Sequence, residues 1–140
     1  MDFPARVLDA VIGHCRREYP NEACGVLAGP VDAAGPRDWW PMRNVAEHGR
    51  YRYTMDEVEQ LHVWKAIDAI GHRVFAIYHS HTDADDYAEP SPEDLRHALD
   101  PGILHLIVAP FSILRDDHRI RLWKVVDGSG IEQPYTVVST

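Results

Sequence analysis

The sequence is sparing in the features that mark secreted, membrane-embedded or nucleic-acid-binding proteins. Two cysteines, Cys15 and Cys24, stand in 140 residues. That is too few for the disulfide framework of a small secreted domain, and the spacing is wrong for a zinc ribbon. They read as free thiols in a reduced compartment. Basic residues are short as well: 14 Lys and Arg face 22 Asp and Glu, for a net charge of −8. Phosphate backbones and anionic membrane surfaces are both held by clustered cations, so neither is expected as a partner. No run of about 18 apolar residues offers a membrane span. The opening MDFPARVLDA lacks the basic and apolar regions of a secretory signal, so the expected location is cytoplasmic. Internal repeats, low-complexity tracts and long linkers are also missing. What is present is a chain with 45% hydrophobic residues, enough for one sizeable core, and residues 1–140 are expected to form one domain.

Apolar positions at helical spacing (Val7, Leu8, Val11, Ile12, Cys15) follow Pro4 and stop before Pro20, predicting a helix near residues 4–18. ACGVLAG, closed by Gly29-Pro30, reads as a buried strand, followed by a loop to about Asp38 and a strand near 39–44. From Met55, the residues Val58, Leu61, Trp64, Ile67 and Ile70 step by three along a second predicted helix that ends at Gly71. RVFAIYHSH has the strongest strand character in the chain, a third helix is predicted to begin at Ser91, and ILHLIVAP, RIRLWKVV and EQPYTVV supply three further strands. Strands interleaved with three helices predict a mixed α/β (α+β) fold, a sheet flanked by helices.

The chemistry concentrates in AIYHSHTDADDYAEPSPEDL, residues 76–95. With nine histidines in the chain, an H-x-H pair arises easily by chance, and two surface histidines at a strand end would explain it. On a strand, however, alternate side chains share a face, so His79 and His81 point one way and Ser80 the other. Two imidazoles on one face can bind one ion at about 2.0–2.1 Å each, a geometry that suits zinc. Asp94 is the preferred third ligand over Asp83, Asp85, Asp86 and Glu89, because a first-turn helix residue is held more firmly than a loop residue. Ser91-Pro92-Glu93-Asp94 also reads as an ordinary helix start, with Ser at the N-cap and Pro at N1. The two readings are compatible. Two histidines and a carboxylate leave a position for water, the pattern of a hydrolytic site, and such chemistry calls for a proton carrier. Glu22, in YPNEACGVLAG, would by itself be an ordinary turn residue.

Taken in order, Glu22, His79-Ser80-His81 and Ser91-Pro92-Glu93-Asp94 resemble the E…H-x-H…S-x-x-D signature of the JAMM (MPN+) zinc isopeptidases and peptidases. The segments PMRNVAE, LHVWKAI, IYHSHT and WKVVDG resemble the small stand-alone bacterial members, and above all the Mec-type branch. The likeness spans nearly the whole chain. It implies a cytidine-deaminase-like JAMM/MPN domain and one Zn2+ with a bound water, held by His79, His81 and Asp94. It further implies Glu22 as general base and Ser91 as the donor that stabilises the oxyanion. The implied substrate is a ubiquitin-like sulfur-carrier protein whose amide is cut after a Gly-Gly tail, releasing cysteine or a short extension. Alternatives are an isopeptidase acting on other ubiquitin-like conjugates and a non-catalytic scaffold. Two departures stand out: Thr82 follows the second histidine where the family commonly has Pro, and the acidic segment from Thr82 to Pro90 is a couple of residues longer than usual.

Other polar residues read as structural. His105 is expected as a satisfied core histidine, and His14, His62, His72, His97 and His118 as surface positions. Trp39-Trp40 is expected to pack the strand, and Cys24 to be a buried residue rather than a nucleophile. Arg43, Arg50, Arg52 and Arg73 could gather into a basic rim facing an acidic carrier.

Overall fold

Among the described residues, eleven elements occur in the order β1 (Asp2–Pro4), α1 (Ala5–Glu18), β2 (Cys24–Pro30), β3 (Asp38–Met42), α2 (Glu57–Ala69), β4 (His72–Ser80), α3 (Pro92–His97), β5 (Leu104–Val108), β6 (Ile120–Val126), β7 (Ser129–Gln133) and β8 (Thr136–Val138). They are seen in a computed structural model that describes residues 1–114 and 119–139. His118 therefore lies outside the described residues. Among the described residues, no helix is long and apolar enough to cross a membrane.

Six strands form one sheet in the order β3-β2-β4-β5-β6-β7, and β1 and β8 pair separately. All neighbours in the large sheet are antiparallel except β4 and β5, where Ala76 pairs with Leu104 and Ser80 with Val108 in parallel. A parallel pair cannot be closed by a tight turn. The chain therefore leaves the end of β4, crosses over through α3, and returns to start β5. That crossover carries the acidic segment, Ser91 and Asp94.

The sheet is covered on both faces, as the interleaving of strands and helices along the chain predicted. Val7, Leu8, Val11 and Cys15 of α1 pack with Leu27, Ala76, Tyr78, Leu106, Val108 and Leu122 on one face. On the other, Ile67 of α2 packs with Cys24, Val26, Ala28, Met42 and Met55. Each large apolar side chain buried this way contributes about 1.5–3 kcal/mol. Gly25 is obligatory where it faces Tyr78, because a Cβ there would lie 2.4 Å from the phenol. The phenol oxygen accepts from Trp39 Nε1 (2.9 Å) and lies 2.7 Å from His14 Nδ1, to which its hydroxyl donates. His14 is thus buried, not on the surface as expected, and burial lowers its pKa. Trp39 and Trp40 pack against opposite faces, as neighbours on a strand should.

Two further expectations need correction. Val58, Leu61 and Ile70 of the step-by-three stripe are exposed, and only Ile67 on α2 is buried. A three-residue step falls short of a helical turn by about 60°, so such a stripe winds around the helix rather than holding one face. EQPYTVV is two strands: Pro134, lacking an N–H, ends β7 at Gln133, and the chain swings away to pair β8 with β1. Between RIRLWKVV and that division lies a hairpin, in which Asp127 (φ 50°) and Gly128 (φ 75°) form the two-residue turn joining β6 to β7.

Candidate metal centre

His79 is the penultimate residue of β4, and His81 lies one residue past its end. The register continues nonetheless, since the His81 N–H donates to the Val108 carbonyl (2.8 Å). The expected alternation holds. Ser80 faces away, its N–H donates to the Ala23 carbonyl (3.1 Å), and its Oγ accepts from the Ala23 N–H (2.8 Å). This pins the start of β2, and with it Glu22, beside the histidine pair.

Ser91 caps α3, accepting from the Asp94 N–H (3.1 Å), while Asp94 Oδ2 accepts from the Ser91 N–H (2.9 Å). The same Oδ2 lies 3.1 Å from His79 Nε2 and 3.4 Å from His81 Nε2, and the two Nε2 atoms are 3.2 Å apart. The capping reading and the ligand reading of Asp94 therefore coexist in one carboxylate. Tetrahedral bonds of about 2.0–2.1 Å place ligand atoms about 3.3 Å apart, so this triangle already has the dimensions a zinc ion requires. The donor set of two imidazole nitrogens and one carboxylate oxygen is equally apt. Among the described residues, this is the one group of three or more such side chains close enough to share an ion.

The tautomer of His81 is fixed. Its Nδ1 sits 2.6 Å from the Tyr87 carbonyl oxygen, which can only accept, so the proton resides on Nδ1 and Nε2 is turned to the triangle. His79 is 1% exposed and stacks on Tyr53 with ring centroids 4.6 Å apart. Burial depresses the His79 pKa against the opposing pull of Asp94. For His81, burial also works against the cation. The Asp94 hydrogen bond, the Tyr87 carbonyl and the Glu22 charge outweigh it, raising the pKa to about 9. Burial would raise Asp94, but hydrogen bonds from His79 and His81 hold it well below the usual carboxylate range.

Glu22 is buried at 5% exposure. Burial first, then repulsion from Asp94, Asp86 and Glu93, overcomes the attraction of His81 and pushes its carboxyl up to about 8. The rival acids go elsewhere. Asp83 pairs with Arg50 (3.0 Å), Asp86 accepts from the Asp83 N–H (2.8 Å), Glu89 pairs with Arg121 (2.8 Å), and Asp85 is exposed. The arginines considered for a basic rim are each engaged locally, Arg50 with Asp83. Arg43 is engaged with Asp56 and Glu59, Arg52 with Glu93, and Arg73 lies at the far end of β4 over the Phe75 ring. Both thiols are buried and pushed up to about 12, which removes Cys24 as a nucleophile. His105 is half-buried opposite Trp123 and is not a member of the triangle; burial first, then the nearby His79, lowers its pKa to about 4 against the pull of Asp94.

Two residues near the site gave no usable sign in the sequence. Tyr53 stacks on His79 and, with Met55, Ile77, Glu93 and His97, lines a groove of about 370 Å3 that reaches Asp94. Asn44 organises the loop beside Glu22. Its Nδ2 donates to the carbonyls of Glu22 (3.0 Å) and Arg52 (3.0 Å), and its Oδ1 accepts from the N–H groups of Ala46 and Thr54 (3.0 Å each). Asn44→Ala strands several of these groups. It is expected to lower stability by about 2–4 kcal/mol, measured by denaturant unfolding.

Residues 4–126 match the family model described as prokaryotic homologs of the JAB domain. The chain is 40% identical over 136 residues to the CysO-cysteine peptidase of Mycobacterium tuberculosis, covering 96% of this chain and 88% of that protein. To the desampylase of Haloferax volcanii it is 34% identical over 114 residues, 79% of this chain and 81% of that protein. A Desulfitobacterium hafniense protein of known solution structure superimposes with a TM-score of 0.82 at 26% identity, over 100% of this chain and 94% of that one. With the fold, the ordered signature and these likenesses in agreement, the chain belongs to the prokaryotic JAB-domain family and is a JAMM-type hydrolase.

Proposed function

We propose that residues 1–140 act as one catalytic domain that holds a single zinc ion on His79, His81 and Asp94. It hydrolyses the amide following the C-terminal diglycine of a ubiquitin-like sulfur-carrier protein, releasing cysteine or a short extension. The observation that carries this reading is the ligand triangle of 3.1–3.4 Å edges beside a buried Glu22. When bound, zinc supplies Lewis acidity that polarises a carbonyl and acidifies water. Glu22 takes a proton from the attacking water and hands it to the departing amine nitrogen. Ser91 Oγ spends a lone pair on the Asp94 N–H, so its hydroxyl hydrogen is free to donate to the developing oxyanion. The groove beside Tyr53 suits an extended tail, and glycine residues next to the scissile bond allow close approach to the ligands.

The choice of carrier follows the 40% identity to a protein named CysO-cysteine peptidase. A second reading, cleavage of an isopeptide to a ubiquitin-like protein, is favoured by the likeness to a protein named desampylase. Intact mass spectrometry separates them: carriers ending in Gly-Gly-Cys are compared with a diglycine–lysine isopeptide conjugate. Higher kcat/KM is expected on the cysteine-ended carrier, and preference for the isopeptide would overturn the choice.

Acid and base behaviour gives an independent check. Glu22 and His81 both have folded-state pKa values above their ordinary ones, about 8 and about 9. Between the unfolded and folded values the native state binds the extra protons. Stability conferred below those values is therefore lost as pH rises through them. The metal-free protein is expected to melt at lower temperature at pH 9 than at pH 6.5. Glu22→Gln is expected to lose part of that slope, and calorimetry across this range measures both.

A further inference from the structure

We infer that Trp123 and Arg121 of β6 are positioning residues for the metal ligand His81, acting through the acidic segment between β4 and α3. The inference rests on the reading of His81 as a ligand. A loop this acidic would be expected to move freely in solvent, yet residues 82–90 are fastened at short intervals. Thr82 Oγ1 donates to the Arg50 carbonyl (3.1 Å), and the Ala84 carbonyl accepts from the Ile113 N–H (2.7 Å). The tightest grip is at the far end, where the segment folds back onto His81. Trp123 Nε1 donates to the Ala88 carbonyl (2.8 Å), and Ala88 is fully buried against Ile107, Ala109 and Trp123. One residue on, Glu89 accepts from Arg121 (2.8 Å), whose guanidinium also holds Glu132 of β7 through two bonds (2.8 and 2.9 Å) and lies 4.7 Å from the Trp123 ring centre.

The residue just before this clamp is Tyr87, whose carbonyl fixes the His81 tautomer at 2.6 Å. Tyr87's own side chain is 57% exposed, so its backbone, not its ring, is what the neighbourhood holds in place. Arg121 and Trp123 stand two apart on one strand and share the face of the sheet that carries the histidines, as the pairing of Ile107 with both His79 and Arg121 shows. A carbonyl that shifts or turns would let the His81 ring rotate or exchange tautomers, and Nε2 would leave the triangle. Supporting groups of this kind typically govern metal affinity by about 10–100-fold.

The test is zinc affinity, measured by competition with a chromophoric chelator, in Trp123→Phe, Arg121→Lys and Leu122→Val. Phenylalanine keeps an aromatic ring beside Ala88 and removes the N–H donor along with part of the ring volume, and Leu122→Val controls for the packing loss. Leu122 lies on the opposite face of the same strand, in the core under α1, so Leu122→Val lowers stability without touching the clamp. The expected result is zinc binding at least about tenfold weaker in Trp123→Phe and Arg121→Lys and unchanged in Leu122→Val. Faster solvent exchange of the His81 Nδ1 proton, seen by 15N-resolved NMR, should accompany the weaker binding in Trp123→Phe. Wild-type affinity in both clamp variants, or equal weakening in Leu122→Val, would overturn the inference while leaving the ligand assignment standing. Failure of the wild-type protein itself to bind zinc would overturn both.

Discussion

Glu22→Gln should yield a protein that binds zinc as tightly as the wild type and turns over about 10²–10⁴-fold more slowly. Glutamine preserves shape and the backbone bonds to Gly49 and Asn44, so the change removes a proton acceptor and little else. The carboxyl is well suited to proton transfer, because burial raises it to about 8 in the metal-free protein and a nearby divalent cation draws it downward. Activity of the wild type should therefore rise with pH along an acid limb whose midpoint lies below 8, and the glutamine variant should lack that limb. Metal content by elemental analysis and kcat from carrier cleavage together decide the matter. Normal turnover in Glu22→Gln would remove Glu22 as the base, whereas loss of metal along with turnover would make it a ligand or a structural residue.

The second large effect is expected at the triangle. His79→Ala should abolish stoichiometric zinc and turnover together, since it removes a buried nitrogen at the centre of the 3.1–3.2 Å contacts. Asp94 needs a subtler change because it caps α3 in addition to its proposed role as a ligand. Asp94→Ala would also destroy the capping box, at about 1 kcal/mol for a lost cap, and α3 is only six residues long with none of them buried. Asp94→Asn retains an oxygen for the Ser91 N–H and withdraws the charge. It should cost zinc affinity more than the roughly 10–100-fold expected of a supporting residue, and it should also lower the melting temperature of the metal-free protein, because the carboxylate that helps hold His81 as a cation is gone. Wild-type zinc affinity in Asp94→Asn would transfer the third ligand position to another group.

Local rules made much of the site readable. Strand alternation placed His79 and His81 on one face, and the Ser91–Asp94 capping pattern located the helix start that brings the carboxylate over them. The resemblance added Glu22, which no periodicity could single out, because its proximity to the pair depends on β2 lying next to β4. What escaped the sequence was mostly decided at long range. His14 is buried because Tyr78, 64 residues away, offers it a hydroxyl. Asn44 looks like any loop asparagine until the carbonyls of Glu22 and Arg52 converge on it. The division of the last strand was legible in principle, since Pro134 cannot donate in the middle of a ladder and Asp127-Gly128 is a hairpin turn.

The measurement that bears most directly on zinc-dependent hydrolysis is cleavage of a Gly-Gly-Cys-ended ubiquitin-like carrier, followed by intact mass, with the protein's zinc content determined on the same sample. About one zinc per chain, loss of the terminal cysteine, suppression by a chelator and recovery when zinc is restored are the expected results. Cleavage that persists after zinc has been removed would contradict them.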